Sequence, residues 1–130
     1  MAKHFRLKFA IIHKVPMYTA LESFPHELYL LRLLITGPTP DSFEWWFNSK
    51  HNSYIFEQVK IERTSGSLII TLEADYLKTD ENKDDKFVMR LDNFKVMVEE
   101  WKELRNRQVP EMYFIQEDDG TVIVRESLEE

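Results

Sequence analysis

The chain has no cysteine and only three glycines in 130 residues. Without cysteine there is no disulfide framework, no thiolate nucleophile and no cysteine-ligated metal. Three glycines are too few for the usual glycine-rich loop that wraps a phosphate in backbone amides. Long apolar runs are missing as well. Near the N-terminus the longest is Phe9-Ala10-Ile11-Ile12, too short for a signal-peptide core. The most apolar stretch, Leu28 to Ile35, is interrupted by Arg32 and falls well short of the roughly 20 residues of a membrane span. These absences predict a cytoplasmic chain with no membrane partner. The lack of cysteine fits a reducing compartment.

What is present can build a core. Hydrophobic residues are 43% of the chain and charged residues 31%, which argues against disorder. The length predicts a single domain over 1–130, large enough to bury about two-thirds of its unfolded surface. The net charge of −6 is unevenly spread. Residues 1–65 carry 8 Lys/Arg and 6 Asp/Glu, a net of +2, whereas residues 66–130 carry 9 and 17, a net of −8. Affinity for phosphate backbones comes from clustered Lys/Arg, so the acidic half predicts no nucleic-acid partner. It suits a basic protein partner.

Periodicity predicts an α+β fold: a mostly antiparallel sheet of about six strands, a long amphipathic helix over 93–107 and a short helix over 42–48. Phe5, Leu7, Phe9 and Ile11 alternate with polar neighbours, a strand closed by Pro16. Met17 to Phe24 shows no clear pattern. Leu28 to Thr36 fits strand or helix, and its β-branched end before Gly37-Pro38-Thr39-Pro40 favours strand. Asp41 stands at N-cap spacing from Glu44, ahead of Phe43-Glu44-Trp45-Trp46-Phe47. Ile55, Val59 and Ile61 share one parity. Leu68, Ile70, Leu72, Ala74 and Tyr76 share another, across the turn Thr64-Ser65-Gly66-Ser67. A charged loop then leads to a short strand at 87–91. Phe94, Met97, Val98, Trp101 and Leu104 form one helical stripe behind an Asp92 N-cap. Pro110 stops that helix. A terminal hairpin turns at Asp119-Gly120, a favoured type I′ pair, and the tail Glu126 to Glu130 is expected to fray.

Few constellations point to chemistry. Asp80-Glu81-Asn82-Lys83-Asp84 opens like a calcium loop, but the sixth position is Asp85 rather than glycine. The twelfth is Leu91 rather than glutamate. His4, His13, His26 and His51 lack metal-ligand spacing, and no serine sits in a Gly-x-Ser-x-Gly elbow. The reading is therefore no enzyme, no metal and no cofactor. Four aromatics in the five residues Phe43 to Phe47 cannot all face one side of a helix, so Trp45 and Trp46 are candidate partner contacts. The acidic candidates are Asp80, Glu81, Asp84 and Asp85 in one loop and Glu117, Asp118 and Asp119 in the last turn.

The stretch from Phe87 to Val124 runs strand, then Asn93-Phe94-Lys95 with Val98, Trp101 and Leu104, then Pro110-Glu111-Met112-Tyr113-Phe114-Ile115, then an acidic turn and Val122-Ile123-Val124. In this layout it resembles the C-terminal half of small bacterial immunity proteins, which neutralise polymorphic or contact-dependent growth-inhibition toxins. The resemblance implies a non-enzymatic inhibitor that binds a cognate toxin domain, often a nuclease, and blocks its active site or holds it closed. The charge split independently suggests that it works partly through an acidic surface. The alternatives are a small-molecule-binding or enzymatic domain with an apolar pocket near Trp101, and a homo-oligomeric structural protein joined through Trp45 and Trp46.

Overall fold

The computed structural model describes residues 3–20 and 25–128. Its strands are β1 (Lys3–Ile12), β2 (Val15–Thr19), β3 (Ser53–Phe56), β4 (Val59–Thr64), β5 (Ser67–Leu72), β6 (Lys86–Arg90), β7 (Glu111–Gln116) and β8 (Val122–Arg125). Its helices are α1 (Tyr29–Thr36), α2 (Pro40–Phe47) and α3 (Leu91–Asn106). The class is α+β, but the eight strands form two antiparallel sheets instead of one of about six. The first runs β2-β1-β7-β8 and the second β3-β4-β5-β6. Alternation in a sequence tells which face a residue occupies. It does not tell which strand lies alongside.

Two strands escaped the periodicity for local reasons. β2 is short and contains Pro16, so it reads as a strand end rather than a strand. Pro16 pairs with Ile11 inside the first hairpin. The rest of the patternless segment, 21–24, lies outside the described residues, as do 129–130 of the tail. β3 and β4 read as one strand because Ile55, Val59 and Ile61 share parity. The two-residue turn Glu57-Gln58, with Glu57 at φ 53, reverses that parity. Phe56 and Val59 become a buried cross-strand pair, and Ile55 is turned out to solvent. β5 and β6 keep the expected pattern, and the β4–β5 turn closes at Ser65-Gly66 with Gly66 at φ +83.

Leu28 to Thr36 is helical, which corrects the strand expectation. A 3₁₀ turn at His26–Leu28 leads into α1. Leu30, Leu31, Leu34 and Ile35 are buried while Arg32, Leu33 and Thr36 are not, a helical spacing that packs α1 on β4, β5 and β6. A continuous apolar run carries no period, so the packing decided it.

The two expected N-caps moved by two residues each. α2 is capped at Thr39 with Pro40 in its first turn, because proline's fixed φ suits that position and its missing N–H costs nothing there. Asp41 and Glu44 do not form a capping box. Both reach Lys102 of α3, at 3.4 and 2.9 Å. α3 begins after Arg90, and Asp92 sits in its first turn, paired to Arg90 at 2.7 Å. The last hairpin also differs from expectation. Gly120 has positive φ and Asp119 does not. The Gly120 N–H donates to the Glu117 carbonyl at 2.9 Å, and the Glu117 N–H donates to the Thr121 carbonyl at 2.8 Å. This is a three-residue loop ending in a left-handed glycine, not a type I′ turn.

The stripe Phe94, Met97, Val98, Trp101 and Leu104 is buried as its spacing requires, and α3 packs on β5, β6, β8 and α2. The buried side chains of both sheets and all three helices form one cluster. Asn93 ties α3 to β8 like an extra strand residue. Its Nδ2 donates to the Val122 carbonyl and its Oδ1 accepts from the Val122 N–H, both at 2.9 Å. Asn93→Ala leaves both backbone groups without that partner. It is expected to cost about 2 kcal/mol in denaturant titration.

Candidate partner-binding surface

One end of the second sheet gathers the β3–β4 turn and the long β5–β6 connection. Register places them together, since Val59 pairs with Leu72 and Lys86 pairs with Thr71. The Gln58 carbonyl accepts from the amides of Glu73 and Ala74, at 2.9 and 3.1 Å. β5 therefore stops at Leu72, and a 3₁₀ turn at Asp75–Leu77 follows. This ends the alternation that placed Tyr76 on the buried face. Tyr76 stands 77% exposed, its hydroxyl accepting from Gln58 Nε2 at 2.9 Å.

The loop beyond is fastened from inside. Asn82 Oδ1 accepts from the Thr79 N–H at 2.6 Å, Asn82 Nδ2 donates to the Leu77 carbonyl at 3.0 Å, and Thr79 Oγ1 accepts from the amides of Glu81 and Asn82 at 3.2 Å. The calcium-loop spelling thus serves a closed turn that leaves Asp80, Glu81 and Asp84 exposed. Asp85 is drawn inward, accepting from the Tyr29 hydroxyl at 2.9 Å. Residues 73–86 carry six Asp/Glu against three Lys. Lys78 is paired to Asp75 at 3.3 Å. Tyr76 thus projects from a connection that carries this acidic excess.

Burial, followed by the Asp85 hydrogen bond and charge, pushes the Tyr29 phenol from 10.0 up to about 12. The folded pKa lies above the unfolded one, so this contribution to stability is whole below pH 10. It is lost as pH rises from 10 toward about 12. Denaturant titrations across that window are expected to show the decline, and Tyr29→Phe is expected to remove that share of it.

The other acidic candidates lie elsewhere. Glu117, Asp118 and Asp119 form the β7–β8 turn, where Asp119 borders a concavity with Ser67 and Arg90. Arg90 ends β6, and the Asp80–Asp85 loop precedes its start. Five strand residues separate the two groups by roughly 15 Å. The Asp119 carboxyl is held below its usual range by hydrogen bonds from Thr121. Along α3, Glu100 pairs with Arg125 and Glu103 with Arg107. The fold does not merge the acidic residues into one patch.

The tryptophan pair is divided. Trp46 is fully buried, which removes it as a partner contact: it faces the core side of α2 with Phe43. The Arg63 guanidinium lies 4.6 Å from its ring centroid and donates to the carbonyls of Phe47 and Ser49, at 3.2 and 2.7 Å. Trp45 is 52% exposed and packs edge-on to Tyr54 of β3, 5.2 Å between centroids. β3 leads directly into the acidic turn at Glu57. Tyr76, Glu57, Glu73 and Asp75 are the surface residues that sequence reasoning missed. The sole signal for Tyr76 was the charge density after Glu73.

Trp101 packs against Phe43 and Phe114 at 5.7 and 6.0 Å, and its edge borders a cleft of about 180 Å³ between β2 and the α1–α2 connection. Among the described residues no group of three or more His, Asp or Glu is placed to hold a metal, and no helix is long and apolar enough to cross a membrane. Comparison of the chain with known protein families, curated proteins and solved structures gives no match.

Proposed function

We propose that the chain is a non-enzymatic inhibitor, an immunity protein that binds and neutralises a cognate bacterial toxin domain with a basic surface, such as a nuclease. The observation that carries this reading is Tyr76, 77% exposed and hydrogen-bonded in place on a connection rich in Asp and Glu. An ordered, exposed aromatic flanked by charge is the composition of a binding hot spot with steering residues around it. Nuclease surfaces are basic because they bind phosphates, so an acidic inhibitor can occupy the same ground. Trp45 and Tyr54 extend the surface along the β3 edge.

The test is a pull-down from the source organism with the tagged full chain as bait, run beside a Tyr76→Ala bait. The expected result is one basic polypeptide retained by the first, lost with the second and released by salt. Its compact domain should kill cells unless this chain is co-expressed. Retention of the same polypeptide by both baits would sink the proposed surface. No capture from a lysate that demonstrably contains the partner would sink the inhibitor reading.

A further inference from the structure

The first 21 residues carry Lys3, Arg6, Lys8 and Lys14 and no acidic residue, although Lys3 and Arg6 are paired to Glu27 and Glu111 at 3.6 and 3.1 Å. This segment includes the β1–β2 hairpin, which outruns its sheet. β1 leaves β7 at the Lys8–Glu111 pair, and its last bond on that side is from the Phe9 N–H to the Pro110 carbonyl, 2.9 Å. Beyond Phe9 the two strands continue as a ribbon to the turn His13-Lys14, both residues at positive φ.

The ribbon is apolar on both faces. Ile11 pairs with Pro16 and Ile12 with Val15, and successive pairs point to opposite faces. Ile11 is 69% exposed and Val15 53%, with Ile12 and Met17 exposed beside them. An exposed aliphatic cluster of this kind marks a contact surface. Strand addition is not that contact. The Phe9 N–H points away from β2, so Ile11, two residues on, does the same, and its partner Pro16 stands where an N–H would face the open edge. Proline there blocks pairing with a further strand.

A cation completes the face. Arg105 borders the cleft of about 180 Å³ with Met17 and Tyr18, and a second concavity of about 250 Å³ that the same two residues line. Among the described residues its guanidinium has no hydrogen bond or ion pair.

We propose that the β1–β2 hairpin and Arg105 form a docking face for an anionic phospholipid surface. A flat protein surface covers one face of a ribbon, whereas a headgroup layer surrounds both. Lys14 and Arg105 supply cations for its phosphodiesters and carboxylates, with Lys8 at the base of the ribbon opposite Glu111, and long basic side chains can reach the headgroups while aliphatic neighbours sit deeper. Peripheral docking of this kind needs no spanning helix. It is independent of the Tyr76 surface, which lies beyond the end of β5 in the other sheet.

The test is co-sedimentation of the full chain with phosphatidylcholine vesicles, with and without phosphatidylserine, at low and high salt. Pelleting with the anionic vesicles at low salt is expected, and little with the neutral ones. Ile11→Asp is expected to lower the partition coefficient about tenfold or more and Arg105→Gln several-fold, with melting temperatures unchanged because both side chains reach solvent. Since the chain has no cysteine, Ile12→Cys carries a single environment-sensitive dye, whose emission should shift to the blue on anionic vesicles. Pelleting that Ile11→Asp does not reduce would overturn the proposal. So would no pelleting at low salt, whether the face then takes soluble polyglutamate, inorganic phosphate or neither.

Discussion

Trp46→Ala is expected to lower stability by about 3–5 kcal/mol, and Trp45→Ala by about 1 kcal/mol or less. Adjacent, identical residues thus differ several-fold. Trp46 is fully buried, with Arg63 stacked on its ring and held in turn by the carbonyls of Phe47 and Ser49. Truncation leaves a void and frees the guanidinium that fastens the end of α2 to β4. Trp45 loses an edge-on contact with Tyr54, a tilted one with His51 and little else. For a chain of this length the Trp46 change corresponds to a fall of roughly 10–20 °C in melting temperature. Trp46→Phe gives a finer reading. The Trp46 Nε1 is buried with no hydrogen-bond partner among the described residues, so phenylalanine loses volume but also removes an unsatisfied donor. Its cost is expected to be well below that of alanine. Equal losses for Trp45→Ala and Trp46→Ala in calorimetry would contradict this assignment.

Tyr76→Ala is expected to weaken partner binding by about 2 kcal/mol or more, roughly 30-fold, and to change stability by less than about 0.5 kcal/mol. The side chain meets the fold through one hydrogen bond, from Gln58, so its removal disturbs little inside. Charge variants on the same connection are expected to behave differently. Asp80→Asn, Glu81→Gln and Asp84→Asn together should slow association and flatten its salt dependence, with a smaller change in dissociation. Asp118→Asn with Asp119→Asn serves as the control, because that turn lies at the far end of β6. Surface plasmon resonance on the recovered partner separates the rates. If the control pair weakens binding as much as the loop variants, the binding surface has been placed at the wrong end.

The elements with a clean period were legible in the sequence. α3 shows its stripe because five apolar residues at 3.6-residue spacing have one solution, and the β4–β5 hairpin shows because alternation flanks Ser65-Gly66. The misreadings share a cause. Leu28 to Thr36 has no period, Ile55 keeps the wrong parity through a two-residue turn, and Asp41 and Asp92 satisfy a local capping rule that Pro40 and the Arg90 junction override. The candidate site was half legible. Asp80, Glu81 and Asp84 stood out by composition, but Tyr76 was hidden by an alternation that the Gln58 carbonyl cuts short.

Composition, charge and local periodicity are properties of neighbours along the chain. By themselves they determined the α+β class, the long helix, the acidic bias of the second half and the lack of any cysteine-based chemistry. Tertiary structure alone decided the division into two sheets, the burial of Trp46 against the exposure of Trp45, and the separation of two acidic turns by the length of a strand. It also decided that Tyr76 projects and that the first hairpin outruns its sheet. Each of these depends on contacts between residues far apart in sequence, formed where backbone hydrogen bonds and core volume must be satisfied together.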